Sequence, residues 1–353
     1  MLSFGKKGIV GLDIGTSSVK AVELKESGKG YQLVNFGVKP IPPQTIVDGA
    51  VMDASAVIEA ITELFRDFKI SSRNVVIGIS GNTVIVKKIT LPEMSFEELE
   101  ESIHWEAEQY IPFDIEDVNL DFQIIESGLP SEEGRMDVIL VAAKKEKVDE
   151  SVSLVVQSGL TPMVVDLEAF ALQNAYEINY EVEPGKSIAL IDIGAGVMNI
   201  NVIGDGISVF TRDISIGGNQ FTETIQKELG ISYDQAEALK RGERIEDVDQ
   251  STVQSVIESV SDNLTMEIQR SFDFFRATAS EREIQRIVIS GGTAKIKGLD
   301  DFIASRLGIP VVINNPFQNI KINERKFDMA EIRDMAPTAA VAVGLALRRV
   351  GDR

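Results

Sequence analysis

The stretch "GIVGLDIGTSSVKAVEL", Gly8 to Leu24, decides the fold. Ile9 to Leu12 are mostly apolar, Asp13 follows, and then come Gly15, Thr16, Ser17 and Ser18. A turn of glycine and hydroxyl residues beside a carboxylate points to phosphate. The familiar phosphate loops, G-x-x-x-x-G-K-[ST] and G-x-G-x-x-G, lead from a strand into a helix whose N-terminus holds the anion. Neither pattern is present. After the turn, Val19, Ala21, Val22 and Leu24 largely alternate with Lys20, Glu23 and Lys25, which is strand patterning. The turn therefore joins two strands, and a phosphate there would meet hairpin amides and hydroxyls, not a helix dipole.

The pattern recurs at Ser187 to Ile203, "SIALIDIGAGVMNINVI". With Asp192 set on Asp13 and Gly194 on Gly15, both copies read apolar strand, D-I-G, small residues, alternating strand. Two phosphate hairpins imply two related lobes across a cleft. The plainer alternative is a pair of ordinary tight turns in which glycine supplies positive φ. A third glycine turn lies in "IQRIVISGGTAKIKGL", where a buried strand runs into Gly291 and Gly292 and the missing Cβ atoms let a flat ring approach the backbone. Val164 to Tyr176 and Met335 to Leu347 read as helices with Ala and Gly where two helices approach closely.

Composition narrows the function. The chain has 353 residues, 35 basic against 55 acidic, for a net charge of −20. That argues against nucleic acid and against anionic lipid as partners, and allows a basic peptide. There is no cysteine and one histidine, His104, so thiolate or histidine metal sites and a Ser-His relay are excluded. No segment approaches the roughly 18 apolar residues of a membrane span. "MLSFGKKG" lacks the apolar core of a signal peptide, so a cytoplasmic location is expected.

Two phosphate hairpins, a glycine-pair turn and two small-residue connecting helices, in this order, resemble the actin-like ATPase superfamily. The resemblance implies an α/β fold of two lobes, each a mixed β-sheet flanked by helices, with ATP and Mg²⁺ between them. Within that group, the wording "GNTVIVKKITLP", "EAEQYIPFD", "GGNQFT" and "QRSFDFF" is similar to the PilM family, the FtsA-related cytoplasmic components of the type IV pilus inner-membrane platform. Ser95 with Glu98 forms a capping box, and Phe96, Leu99, Ile103, Ala107 and Tyr110 then fall at helical spacing with glutamates on the outer face. That helix belongs to an FtsA-like inserted subdomain. The expected division is residues 1–82 for the first lobe, with 162–186 and 335–353 returning to it or connecting the lobes. Residues 83–161 form the insert, 187–220 and 284–334 the second-lobe core, and 221–283 its outer subdomain.

By the same resemblance, Asp13 and Asp192 hold Mg²⁺ through water, and Gly15, Thr16, Ser17, Ser18 and Lys20 hold phosphate from one side. Gly194, Ala195 and Gly196 hold it from the other. Gly217, Gly218, Glu267, Arg270, Gly291 and Gly292 belong to the nucleotide's far end, and Glu168 orients the attacking water. Phe272, Phe274 and Phe275 read as core. Ala195, Val197 and Met198 replace the usual hydroxyls of the second hairpin, so hydrolysis is expected to be weak or partner-dependent. The implied partner is the N-terminal cytoplasmic tail of PilN, seated in the seam between the first lobe and the insert. PilO, PilC and the pilus motor ATPases follow indirectly, and PilN holds the protein at the inner membrane. An FtsA-like filament former and a small-molecule kinase of the same superfamily are the rival readings.

Overall fold

The computed structural model describes residues 8–125, 134–278 and 283–352, so the N-terminal segment lies, but for Gly8, outside the described residues. The chain opens with a three-strand meander: β1 (Val10–Ile14), β2 (Ser18–Ser27) and β3 (Gly30–Pro40). A small ribbon, β4 (Ile46–Val47) and β5 (Ala50–Val51), leads to α1 (Ala54–Asp67). Asp53 caps that helix, its Oδ1 accepting from Ala56 N at 3.0 Å. Its apolar stripe, Val57, Ile61, Leu64 and Phe65, is buried on the sheet. β6 (Asn74–Ile79) closes the segment.

The insert follows as β7 (Val84–Pro92), α2 (Phe96–Ala107), β8 (Val118–Ile125) and β9 (Arg135–Lys144). The expected capping box at Ser95 and Glu98 starts α2. Leu99, Ile103 and Ala107 pack on the sheet β7-β9-β8 in a core separate from either lobe. The chain returns through α3 (Lys145–Gln157), β10 (Thr161–Leu167) and α4 (Glu168–Glu177).

The second lobe has β11 (Ser187–Ile193), β12 (Met198–Gly204) and β13 (Ile207–Ile214), then α5 (Gly218–Leu229), α6 (Tyr233–Lys240) and α7 (Gln250–Thr278). β14 (Ile284–Ser290), α8 (Leu299–Leu307) and β15 (Val311–Ile313) complete it. The chain ends with β16 (Ile320–Lys321), α9 (Met329–Met335) and α10 (Ala340–Leu347).

Both lobes share one plan. In the first sheet, ordered β10-β6-β1-β2-β3-β16, β1 runs antiparallel to β2 and parallel to β6. In the second, ordered β13-β12-β11-β14-β15, β11 runs antiparallel to β12 and parallel to β14. The two D-I-G turns are therefore the same element used twice. Helices α4 and α10 cross between the sheets. A Cβ on Gly344 would stand 1.7 Å from Ala171 O, and one on Gly11 would stand 2.1 Å from Ala342 O. The small residues of both helices thus let backbone touch backbone.

Three boundaries differ from the sequence reading. Helix α3, placed within 83–161, buries Leu154 and Val155 with Val57, Ile61 and Leu64, so it belongs to the first lobe. Residues 314–334, placed in the second-lobe core, cross back. β16 pairs with β3, and Phe317, Ile320 and Ile332 join Val22, Leu24 and Leu33. Finally, α5 to α7 share one continuous core with the second sheet, Phe221 and Ile268 lying with Ile191 and Ile200. An amphipathic stripe says that a face is buried, not against which neighbour.

Candidate nucleotide cleft

The first hairpin is closed by Gly15 N donating to Ser18 O at 3.1 Å. The β1–β2 register sets Lys20 directly across from Asp13, and Lys20 Nζ reaches Asp13 Oδ2 at 2.8 Å. The second hairpin closes through Gly194 N to Val197 O at 2.9 Å, and its register sets Asn199 across from Asp192. Carbonyls of this second turn are consumed by their own lobe. Gly218 N donates to Gly194 O at 3.0 Å, Asn219 N to Ala195 O at 2.8 Å, and Thr293 Oγ1 to Gly194 O at 2.8 Å. Its outward amide, Gly196 N, crosses the cleft to Thr16 Oγ1 at 2.8 Å. The structure thus brings together the hairpin residues that the sequence placed on opposite lobes.

The remaining glycines divide. Gly217 and Gly291 are packing residues: a Cβ would stand 2.5 Å from Gly194 O at the first and 2.3 Å from Ile193 O at the second, where φ is +89°. Gly218 lies against Thr293 and Lys240 in the same way. Gly292 alone of the four faces open space, with nothing within 4 Å of a Cβ.

Charge is concentrated where the hairpins meet. Burial, and then the charge of Asp13, pushes the Asp192 carboxyl up to about 7, with Lys20 working against the shift. Glu168 heads α4, above Gly78, whose missing Cβ leaves room for it: a Cβ there would lie 2.9 Å from Glu168 Cγ. Burial, then Asp13, with further repulsion from Asp213 and Asp192, pushes Glu168 up to about 8, although a hydrogen bond with Ser80 opposes it. Burial disfavours the Lys20 ammonium, but Asp13, helped by Asp192 and Glu168, more than offsets this and holds it above its ordinary value. Among the described residues no three carboxylates converge closely enough to cage a metal by themselves. One or two carboxylates with phosphate oxygens and water are the donor set that suits Mg²⁺, and the buried negative excess suits a divalent cation.

Glu267 and Arg270 are joined to each other on α7, Arg270 being largely exposed, and no hydrogen bond among the described residues ties either to the glycine turns. Phe272 and Phe275 are core, whereas Phe274 is 57% exposed, contrary to the sequence reading. Residues not anticipated lie beside the Gly217-Gly218 turn. Lys240 Nζ lies 3.3 Å from Gly218 O and 3.0 Å from Thr222 Oγ1 and pairs with Glu237; burial holds it below its ordinary value despite that partner. The A-E-A-L-K run on α6 carried the signal: Glu237 and Lys240 are three residues apart on one helix face. Asp213 on β13 was also missed. It accepts from Asn199 Nδ2 at 2.8 Å and from Gly81 N of the first lobe.

A cavity of about 190 Å³ lies where the insert leaves the first lobe. Ser80, Gly81, Val84 and Val86 line one side, and Thr211 to Asp213 of the second lobe line the other. β7 is an edge strand with one side unpaired in the sheet. His104 and Trp105 are exposed on α2, Trp105 at 74%.

Two lobes of common plan, each with a D-I-G hairpin turned toward the other, define an actin-like fold. MreB 5 of Spiroplasma citri bound to AMPPNP shares it at a TM-score of 0.55 and 14% identity, over 96% of this chain and 95% of that one. The family model for type IV pilus assembly protein PilM matches residues 11–350, and the chain belongs to that family. The solved PilM-PilN type IV pilus biogenesis complex superposes with a TM-score of 0.85 at 31% identity, covering 98% of this chain and 99% of that one. Cell division protein FtsA of Neisseria meningitidis serogroup B is 25% identical over 89% of this chain and 85% of its own length. Among the described residues no helix is long and apolar enough to cross a membrane.

Proposed function

We propose that this protein binds ATP with Mg²⁺ between its two hairpins. In this reading it acts as a cytoplasmic scaffold of the type IV pilus machine, recruited to the inner membrane by the N-terminal cytoplasmic tail of PilN. The observation that carries the nucleotide reading is the buried carboxylate excess at the meeting point of two glycine hairpins. Asp13, Asp192 and Glu168 are there with Lys20 as the cation among them. Bound there, Mg²⁺ would supply charge neutralisation to the carboxylates and to phosphate. Asp13 and Asp192 would orient its waters, while Thr16 to Ser18 and Ala195 to Gly196 would offer amides and hydroxyls to phosphate, Gly15 and Gly194 shaping the two turns. Gly292 leaves backbone open to a flat ring, and Glu237 with Lys240 stands beside Gly218 for the sugar end.

Hydrolysis is slow in this reading, for two reasons. Glu168, pushed up to about 8, is mostly protonated at neutral pH and orients water poorly until cation charge relieves the repulsion. The second hairpin also presents Ala195 and Val197 where donors would stabilise developing charge.

The PilN reading is supported by family membership and by the likeness to the PilM-PilN complex. The seam at the insert, with the free edge of β7 and the adjoining cavity, is where an extended tail would gain main-chain bonds. PilO, PilC and the motor ATPases then connect through PilN and the insert. An FtsA-like filament former is the second reading, favoured by the identity to FtsA. Sedimentation with ATP separates the two.

Titration with a fluorescent ATP analogue tests the cleft: Asp13→Ala and Gly292→Val both weaken binding, and wild-type affinity in both would remove the assignment. Fractionation of cells lacking the PilN tail tests the recruitment. The protein is expected in the cytosol, and full retention at the membrane would contradict the scaffold reading.

A further inference from the structure

The turn Ser80-Gly81 sits between two things at once. Ser80 stands beside the Glu168 carboxyl at the nucleotide cleft, and Glu168 packs over Gly78 in the strand that leads into the turn, where a Cβ would lie 2.9 Å from Glu168 Cγ. The next residue, Gly81, donates its amide to Asp213 of the opposite lobe. Both residues also wall the cavity at the root of the insert, with Val84 to Val86 beyond them and Thr211 to Asp213 facing them. Gly81 has φ +100° and open space at its Cβ position, so the turn is not wedged in place by packing at that point. The carboxylate of Asp213 is itself fixed, because Asn199 Nδ2 holds its other oxygen at 2.8 Å. Asn199 is in turn the cross-strand partner of Asp192. A continuous set of polar contacts therefore runs from the second hairpin, through Asp213, to the turn that holds Glu168.

We propose that Asp213 is a positioning residue: by clasping Gly81 it sets the Ser80-Gly81 turn, and through Ser80 the side chain of Glu168, so that nucleotide in the cleft and the shape of the insert's root are coupled. This rests on the nucleotide reading above and adds to it the route by which the cleft reaches the partner seam. The physical content is a single shared element. Entry of phosphate between the hairpins takes Gly196 N away from Thr16 Oγ1 and leaves the Asp213–Gly81 hydrogen bond to carry the relation between the lobes at this edge. Movement of Glu168 pulls Ser80, and Ser80 moves the cavity wall. Such coupling is reciprocal in binding free energy, so an occupant of the cavity biases the cleft in return.

Amide hydrogen exchange on the full chain tests this, with a non-hydrolysable ATP analogue and Mg²⁺ as the probe. In the wild type, the analogue slows exchange at both hairpins and changes exchange across 81–86 by about fivefold or more, the lower end of ordinary coupling. Asp213→Ala abolishes the response at 81–86 while the hairpins remain protected and the affinity for the analogue stays within about twofold. Ser80→Ala does the same with the Asp213–Gly81 contact intact. Asp213→Asn restores the response, because an amide keeps both contacts once the Asn199 amide turns over. A wild-type response at 81–86 in both Asp213→Ala and Ser80→Ala would overturn the proposal, as would hairpin protection in the wild type without any change at 81–86. Failure of Asp213→Asn to restore the response would overturn it too. Absence of protection at the hairpins themselves would instead remove the nucleotide reading, and this inference with it.

Discussion

The two hairpins have one backbone and two electrical characters. Asp13 has Lys20 across the ladder at 2.8 Å, and the pair is largely buried. Asp192, at the equivalent register, has Asn199, and that amide is turned away to Asp213. The first hairpin therefore carries its own counter-charge, while the second leaves a carboxylate whose proton is held by burial and by Asp13. The turns differ in the same sense, Thr16, Ser17 and Ser18 against Ala195, Gly196 and Val197. Symmetry of fold has thus not been accompanied by symmetry of chemistry. The half that lacks both cation and hydroxyls is where an incoming ion changes most.

The strongest way to break this contrast is by deletion of each carboxylate in nucleotide-free protein. Asp13→Ala removes the hydrogen-bonded partner of a buried ammonium and is expected to cost about 3 kcal/mol in chemical denaturation, the low end of the range because Asp192 and Glu168 remain near Lys20. Asp192→Ala, by relieving repulsion, leaves stability unchanged or raises it. Equal losses would erase the distinction between the hairpins.

A pH series sharpens the contrast. Glu168 and Asp192 are raised from 4.5 to about 8 and from 3.8 to about 7. The folded state binds these protons more tightly than the unfolded one, so their contribution is complete below about pH 4 and is lost as pH rises through 7 and 8. The melting temperature without nucleotide should fall by several degrees between pH 5 and 9, and Glu168→Gln should flatten the upper part of that decline. A wild-type curve flat to pH 9 would contradict the crowding of these carboxylates.

Two smaller effects follow. Ala195→Ser returns a hydroxyl to the second hairpin and should raise single-turnover phosphate release by about tenfold, less than a fully placed donor provides elsewhere. No gain would mean that the missing hydroxyls are not what slows the chemistry. Thr16→Val removes the acceptor for Gly196 N at nearly constant volume, and a loss of about 1 kcal/mol is expected by denaturation. No loss at all would mean that the hairpins meet without help from that bond.

The hairpins were legible because each is local: strand, carboxylate, glycine and strand lie within one short window, twice. The small residues of α10 and α4, Gly344 and Ala171 among them, were legible for a similar reason, since small residues inside an apolar helix have few uses beyond close approach. What escaped reading is what depends on distant partners. The stripe of α3 gave no hint that it packs on α1. The segment 314–334 carried no mark of its return to β3. Asp213 stands in a strand of unremarkable sequence, and only the fold brings it to Gly81. Glu267 and Arg270 rested on the likeness of the "QRSFDFF" stretch to a helix that lines an adenosine pocket, whereas Glu237 and Lys240 lie on α6, and only the fold sets that helix beside Gly218.

At the crossing of α4 and α10 there is no side chain between the two main chains, Gly344 lying directly on Ala171. Such a joint works as a fulcrum with bare bearing surfaces. Side-chain padding would absorb a small tilt by shifting rotamers, but abutting backbones turn it into rolling. A rotation at this pivot would be delivered to the far rim, where Thr16 meets Gly196 and Asp213 meets Gly81. Stiffness at the centre is what lets the outer contacts register a movement too slight to disturb either core.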